Sequence, residues 1–265
     1  INNILNRDTE VKIVKDFLTN FELNKHNLAK KKGLYIYGDP GSGKTTFITN
    51  LLKELDYDII KYDAGDIRNK SIIETITKHN MSDKNVISMF YKKIQRIVII
   101  MDEIDGMNNG DKGGINSLIK IIRAKKTKKQ RLEEITLNPI ICIGNYHMDK
   151  KIKELMKVCH VIELKSPTSP QIQTIVDKLM PSVDNVIVKD NIIKFIQGDL
   201  RKLMTIYELY IKKQNILNNN IIQNIFLTKS YNDDTRTITK KLINNYYPIE
   251  QHLTIMNETD RTIVG

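Results

Sequence analysis

Residues Gly38-Asp39-Pro40-Gly41-Ser42-Gly43-Lys44-Thr45 satisfy every fixed position of the pattern G-x-x-x-x-G-K-[ST], and they follow directly on the apolar run Leu34-Tyr35-Ile36-Tyr37. A chain that carries this loop has few folds open to it. The glycines let backbone N–H groups turn inward around phosphate oxygens. The segment behind the loop must then be a helix, because a helix N-terminus carries the partial positive charge that faces the same phosphates. The spacing predicts a buried strand over 34–37 and a helix from about Lys44 to Leu55. Lys44 is expected to reach the β- and γ-phosphates of a nucleoside triphosphate, and Thr45 to offer its hydroxyl to Mg²⁺.

A second motif completes the first. The apolar run Ile97–Met101 leads into Asp102-Glu103-Ile104-Asp105. Asp102 is expected to hold Mg²⁺ through water, since that ion keeps several of its waters. Glu103 would orient and deprotonate the attacking water. Asp105 and Asp66 read as caps or turn residues. Asn145 follows the apolar run Pro139–Ile143. At the C-terminal edge of a parallel sheet its amide would sense the γ-phosphate and position water. Further on, Gly198-Asp199-Leu200-Arg201 opens a helix, with Asp199 as its cap. Arg201 reads either as a contact to the triphosphate or as an exposed helix arginine.

The order of elements supports an α/β fold. Strands are predicted at 34–37, 59–62, 97–101, 139–143 and 161–164, and helices at 11–18, 44–55, 71–79 and 114–122. Short apolar strands alternating with helices imply a parallel sheet covered on both faces. Ser166-Pro167-Thr168-Ser169-Pro170 is a turn and cap signal, and only helical spacing follows it to about Gln214. The expected division is an α/β domain over 1–165, a small all-helical domain over 166–214, and a polar remainder over 215–265. That remainder reads as a linker or the start of a third helical domain. Because the chain begins at Ile1, it reads as a piece of a longer protein.

Charge narrows the partners. The chain has 42 Lys and Arg against 31 Asp and Glu, a net charge of +11. Such a balance favours a polyanion such as nucleic acid. A general bias toward Ile, Lys and Asn would produce the same number. With no Trp and 6% aromatic residues, base stacking on aromatic platforms is disfavoured. No apolar run is long enough to span a membrane. Cys142 and Cys159 have no metal-ligand spacing and no evident partners, which suits a reducing compartment. The run Lys125–Arg131 reads as a solvated insertion in preference to an extra DNA contact.

The loop, the Asp-Glu strand, the strand-end Asn and the Gly-Asp-x-Arg helix together resemble the AAA+ P-loop ATPases. Asp102-Glu103-Ile104-Asp105-Gly106-Met107, then Gly113-Gly114-Ile115 and Leu118-Ile119, resembles the large subunits of replication factor C, the sliding-clamp loader. So does Asp63-Ala64-Gly65-Asp66-Ile67-Arg68-x-Lys70-Ser71, although Gly65 stands where that family usually has Ser. The resemblance covers roughly residues 4–213. It implies an ATP-dependent clamp-loader subunit with a RecA-like AAA+ domain, a helical lid and a partial helical collar. Nucleotide contacts would then include Gly38, Asp39, Pro40, Gly41, Ser42, Gly43, Lys44, Thr45, Thr46, Ile4 and Leu5. Arg68, Lys70, Lys112 and Asn116 would face DNA in the bore of the ring. Ile87, Phe90 and Tyr91 would form a plug for the clamp.

The implied partners are clamp-loader small subunits, the sliding clamp and primer–template DNA, in the nucleus or in a viral cytoplasmic replication factory. Lys157-Val158-Cys159 stands where small subunits carry Ser-Arg-Cys. The chain would therefore accept a neighbour's arginine without supplying one, and hydrolyse ATP slowly alone. Two other readings stay open: an AAA+ initiator or helicase loader, and a nucleotide-binding structural end subunit.

Overall fold

Five short strands pair side by side; the three central ones, over 33–37, 96–101 and 140–144, are apolar on both faces and can be covered only by helices on both sides, while the two edge strands carry Asp58, Lys61, His160 and Glu163. The computed structural model describes residues 4–63, 96–105, 114–131, 136–145, 150–183, 185–212, 240, 243–246 and 248. In chain order the elements are α1 (Asp8–Leu23), β1 (Gly33–Tyr37), α2 (Lys44–Glu54), β2 (Tyr57–Tyr62), β3 (Arg96–Met101), α3 (Gly114–Ile122), the short α4 (Lys128–Arg131), β4 (Ile140–Gly144), α5 (Lys150–Val158), β5 (His160–Glu163), α6 (Ser169–Leu179), α7 (Val186–Ile196) and α8 (Leu200–Lys212). The sheet order is β2-β3-β4-β1-β5, and every pair is parallel.

Alternate residues of the strands face two separate cores. Leu34, Ile36, Val98, Ile100, Ile141 and Ile143 lie against Val14, Phe17 and Leu18 of α1 and Phe47, Ile48, Leu51 and Leu52 of α2. Tyr35, Ile99, Met101, Ile140 and Cys142 lie against Ile115, Leu118 and Ile122 of α3 and Ile152 and Leu155 of α5. The fold is the expected α/β architecture, a parallel sheet flanked by helices. Strand ends differ from the sequence expectation by one or two residues.

Two local features depart from that expectation. α5 was not anticipated. Of its nine residues only Ile152 and Leu155 are buried, and Lys150, Lys151, Lys153 and Lys157 dilute the apolar stripe. The cysteines are also not isolated. Cys142 on β4 hydrogen-bonds with Cys159 before β5, and this bond and burial push the Cys142 thiol well up. Their meeting depends on strand order, which spacing does not encode.

Residues 2–166 form one compact unit and those from Pro167 onward belong to another. In the second, α6 packs on α7 and α7 on α8. Each helix has a polar start. The Thr168 N–H donates to Gln171 Oε1 at 2.9 Å, the Ile187 N–H to Asn185 Oδ1 at 2.9 Å, and the Arg201 N–H to Asp199 Oδ1 at 2.8 Å. No helix among the described residues is long and apolar enough to cross a membrane. The expected helix at 71–79, Asp66, Arg68, Lys70, Lys112, Ile87, Phe90 and Tyr91 lie outside the described residues, as does most of 215–265.

Candidate nucleotide site

The loop Gly38–Gly43 joins the C-terminal end of β1 to the N-terminus of α2, at the point where β1 has β4 on one side and β5 on the other. In open parallel sheets this end of the strands, at a reversal of strand order, is where ligands bind. The glycines have separate reasons to be there. A Cβ on Gly38 would lie 2.2 Å from the Leu164 carbonyl oxygen, so the chain after β5 can approach only because none exists. Gly41 (φ 78°) and Gly43 (φ 81°) hold left-handed conformations that L side chains resist. Gly43 is also the N-cap of α2, so the bend that shapes the loop aims the helix at it.

Lys44 is 9% exposed, and its ammonium is held inside the loop. Nζ donates to Gly38 O and Asp39 O, each at 2.9 Å, and to Asn145 Oδ1 at 3.1 Å. The Asn145 Nδ2 in turn donates to Asp105 Oδ2 at 3.0 Å. Asp105 is therefore not only a turn residue, as its sequence context suggested. Its carboxylate sets which way the Asn145 amide faces, and so leaves the amide oxygen toward Lys44.

On the other side, Thr45 Oγ1 donates to Asp102 Oδ2 at 3.0 Å. Asp102 is 7% exposed at the end of β3. Burying a carboxylate this far requires compensating donors. It has them in the Thr45 hydroxyl, in the Glu103 N–H, which reaches Asp102 Oδ1 at 3.0 Å, and in Lys61 Nζ, which lies 3.0 Å from Oδ2. Glu103 is exposed and adopts φ 50°, a left-handed conformation that costs a non-glycine residue roughly 1–2 kcal/mol. The hydrogen bond to Asp102 holds it there.

Two residues of this site escaped the sequence reading. Lys61, on β2, bridges Asp102 and Asp63. The hydrogen bond with Asp102 is the main cause of its raised pKa. Alternation along β2 gave no signal, because what matters is the β2–β3 register that sets Lys61 beside Ile100 and Tyr62 beside Met101. Arg7 is 5% exposed and donates from Nη2 to Ser42 O at 2.7 Å, with its guanidinium 5.7 Å from the Phe47 ring centre. Burial lowers its pKa, and Glu10 partly opposes this. Arg7 thereby ties to the loop the segment that carries Ile4 and the buried Leu5. Thr46 is exposed on the first turn of α2. Asn116 is exposed on α3, and Arg201 is exposed on α8 in the other unit.

The arrangement sets one ammonium, one hydroxyl–carboxylate pair and one exposed carboxylate at the same sheet edge. Solved structures with this fold include the Thermotoga maritima RuvB Holliday junction branch migration motor (TM-score 0.54, 16% identity, 89% of this chain and 76% of that one) and the Aeropyrum pernix ORC2 protein (TM-score 0.56, 12% identity, 97% and 84%). At such identities the likeness concerns the fold.

Among curated proteins, the chain is 29% identical over 213 residues to replication factor C subunit 1 of Saccharomyces cerevisiae, covering 73% of this chain and 23% of that protein. It is 27% identical over 228 residues to the replication factor C large subunit of Nanoarchaeum equitans, covering 84% and 48%. With the large subunit of Methanococcus aeolicus the figures are 31% over 181 residues, 66% and 34%. The chain thus spans about a quarter to a half of these relatives. Residues 34–166, from β1 through the chain after β5, match the ATPase family associated with various cellular activities. Loop, carboxylate strand and strand-end asparagine all fall inside that match, and the chain belongs to the AAA family of ATPases.

Proposed function

We propose that the protein is the ATP-hydrolysing large subunit of a sliding-clamp loader. The observation that carries this reading is the similarity to replication factor C large subunits, which runs over 73–84% of the chain in two of the relatives above. ATP would lie with its phosphates along Gly38–Thr45 and Thr46, flanked by Ile4 and Leu5. Lys44 would exchange its loop carbonyls for β- and γ-phosphate oxygens. Asn145, oriented by Asp105, would meet the γ-phosphate and the attacking water, and Glu103 would take the water's proton. Thr45 Oγ1 and Asp102 Oδ2 are hard oxygen donors 3.0 Å apart, a set that fits Mg²⁺, which when bound offsets charge on the phosphate oxygens. Arg201 would report the triphosphate to the helical unit. Arg68, Lys70, Lys112 and Asn116 would contact DNA phosphates, and Ile87, Phe90 and Tyr91 would engage the clamp.

Steady-state ATPase with small subunits, primer–template DNA and clamp tests the assignment. The chain alone should turn over slowly, and the full assembly should be faster by ~10³-fold or more, the lower bound of what a supplied arginine contributes in related hydrolases. A rate indifferent to the clamp excludes the clamp-loader reading in favour of an initiator. A rate that stays low in every mixture indicates a structural end subunit.

Lys61 leads to a further expected result. Its ammonium occupies one side of Asp102 Oδ2, so it competes with a divalent cation there. The pair joins a half-exposed ammonium to a buried carboxylate and is partly screened by solvent on the Lys61 side, so on the order of 1 kcal/mol is expected from it, and Lys61→Met should tighten Mn²⁺ binding to the ATPγS complex by about fivefold, read by electron paramagnetic resonance. Lys61→Arg should leave it unchanged. Weaker binding in Lys61→Met would mean that Lys61 supports the metal carboxylate instead of competing for it.

A further inference from the structure

At the end of the sheet opposite the nucleotide loop, two segments far apart in sequence are joined. The Lys125 N–H donates to Leu28 O at 2.7 Å, and the Lys32 N–H to Ile122 O at 3.1 Å. This brings 24–32, which leads into β1, against 120–131, which leaves α3. Together the two segments carry eleven Lys and Arg and no Asp or Glu, while the net charge of the whole chain is +11. A general lysine bias would spread its charge, and here a quarter of the chain's cations sit in 21 residues.

The crowding is physical as well as statistical. Lys32 and Lys125 are each 2% exposed. Lys32 Nζ donates to Lys25 O and to Thr136 O at 3.2 Å, and Lys125 Nζ donates to Lys120 O. Burial pushes Lys32 down to about 8, and the charges of Lys25 and Lys125 add to the shift. Nearby, Lys31 Nζ donates to Cys159 O at 3.1 Å, and the His160 pKa is lowered by burial and by Lys31 and Lys30. The two buried lysines act as a clasp, with main-chain carbonyls as acceptors, that fixes the backbone of both segments. Lys30, Lys31, Lys126, Lys128, Lys129 and Arg131 of these two joined segments are left exposed.

We infer that the two joined segments form a nucleic-acid contact, one that follows a phosphate backbone outside the nucleotide site and reads no bases. Protein partners are met through aromatic and apolar anchors, and lysine is depleted at such contacts. None of the exposed large apolar residues falls within 24–32 or 120–131. Surfaces that meet phosphate are polar and rich in cations, and their affinity comes from counterion release. The inference does not depend on the clamp-loader reading. Of the run 125–131 expected to be solvated, Lys125 is instead buried and bonded to a distant loop, while Lys126, Lys128, Lys129 and Arg131 are exposed.

The test is salt-dependent binding of the intact protein to a fluorescent DNA duplex. The Gln variant replaces Lys30, Lys126, Lys128 and Lys129 together, and the Arg variant keeps their charge. Each lost phosphate contact lowers the slope of log K against log salt by about 0.9, so the Gln variant should lose roughly 3 to 4 from the slope and bind at least about tenfold more weakly near 0.1 M salt. The Arg variant should retain both, and the basal ATPase should be unchanged in each. A Gln variant with wild-type affinity and slope overturns the inference, as does one that keeps DNA binding but loses binding to the acidic surface of a partner protein. Asn116→Ala with Lys112→Ala, measured in parallel, reports on the bore contacts, so either site can fail alone.

Discussion

Glu103→Gln should lower ATP turnover by about 10²–10⁴-fold while leaving nucleotide affinity within about twofold, because it removes a general base and nothing that holds phosphate. The geometry makes this substitution a clean one. Glu103 keeps its left-handed conformation through its own N–H, which donates to Asp102 Oδ1 at 3.0 Å. The side chain is exposed and plays no part in that bond. Glutamine has the same shape, so the strand end and Asp102 should stay as they are. Single-turnover hydrolysis separates the chemical step from product release, and a fluorescent-nucleotide titration gives the affinity. Full turnover in the variant would remove Glu103 from the role of base. Asp105 would not be its natural replacement, since that carboxylate is engaged with the Asn145 amide.

Lys44→Ala has the second large expectation, and it falls on binding. Charge-assisted hydrogen bonds contribute about 1.5–3 kcal/mol each, so losing those to two phosphate groups should weaken ATP binding by at least about 10²-fold. The effect should extend beyond the lysine. In the present arrangement Nζ joins Gly38 O and Asp39 O to Asn145 Oδ1, linking the loop after β1 to the end of β4. Without it, Asn145 keeps Asp105 but loses its tie to the loop. A companion measurement on Asn145→Ala should therefore show near-normal ATP affinity with reduced hydrolysis. Affinity in Lys44→Ala within about threefold of the parent would mean that the backbone donors and the helix terminus suffice, and that Lys44 is structural.

The phosphate loop, its flanking strand and helix, and the carboxylates after β3 were legible because each is local. Glycines at fixed offsets, a continuous apolar run and a Lys-Thr pair lie within a few residues of one another, and the backbone geometry they require admits few other side chains. The same locality made α3 readable to its end residues, since Ile115, Leu118, Ile121 and Ile122 repeat at the helical period. α5 was missed although Ile152, Leu155 and Met156 stand at helical spacing, because the helix is short and its four lysines leave it polar on average.

Long-range pairings were decided only by tertiary structure. Nothing near Lys61 in sequence indicates Asp102, and the contact exists because β2 and β3 are parallel neighbours in one particular register. Arg7 reaches Ser42, Asp105 orients Asn145 and Cys142 meets Cys159, each across a gap that strand order closes. The two lysine-rich segments show the difference most plainly. The run 125–131 alone reads as a solvated insertion, and its charges join those of 24–32 only where the chain before β1 hydrogen-bonds to the chain after α3. Residue types and short spacings determine which chemistry a chain can hold, because that depends on local conformation. Which charges share a site is settled by the packing of the sheet, because electrostatic interaction depends on distance in space and not on separation along the chain.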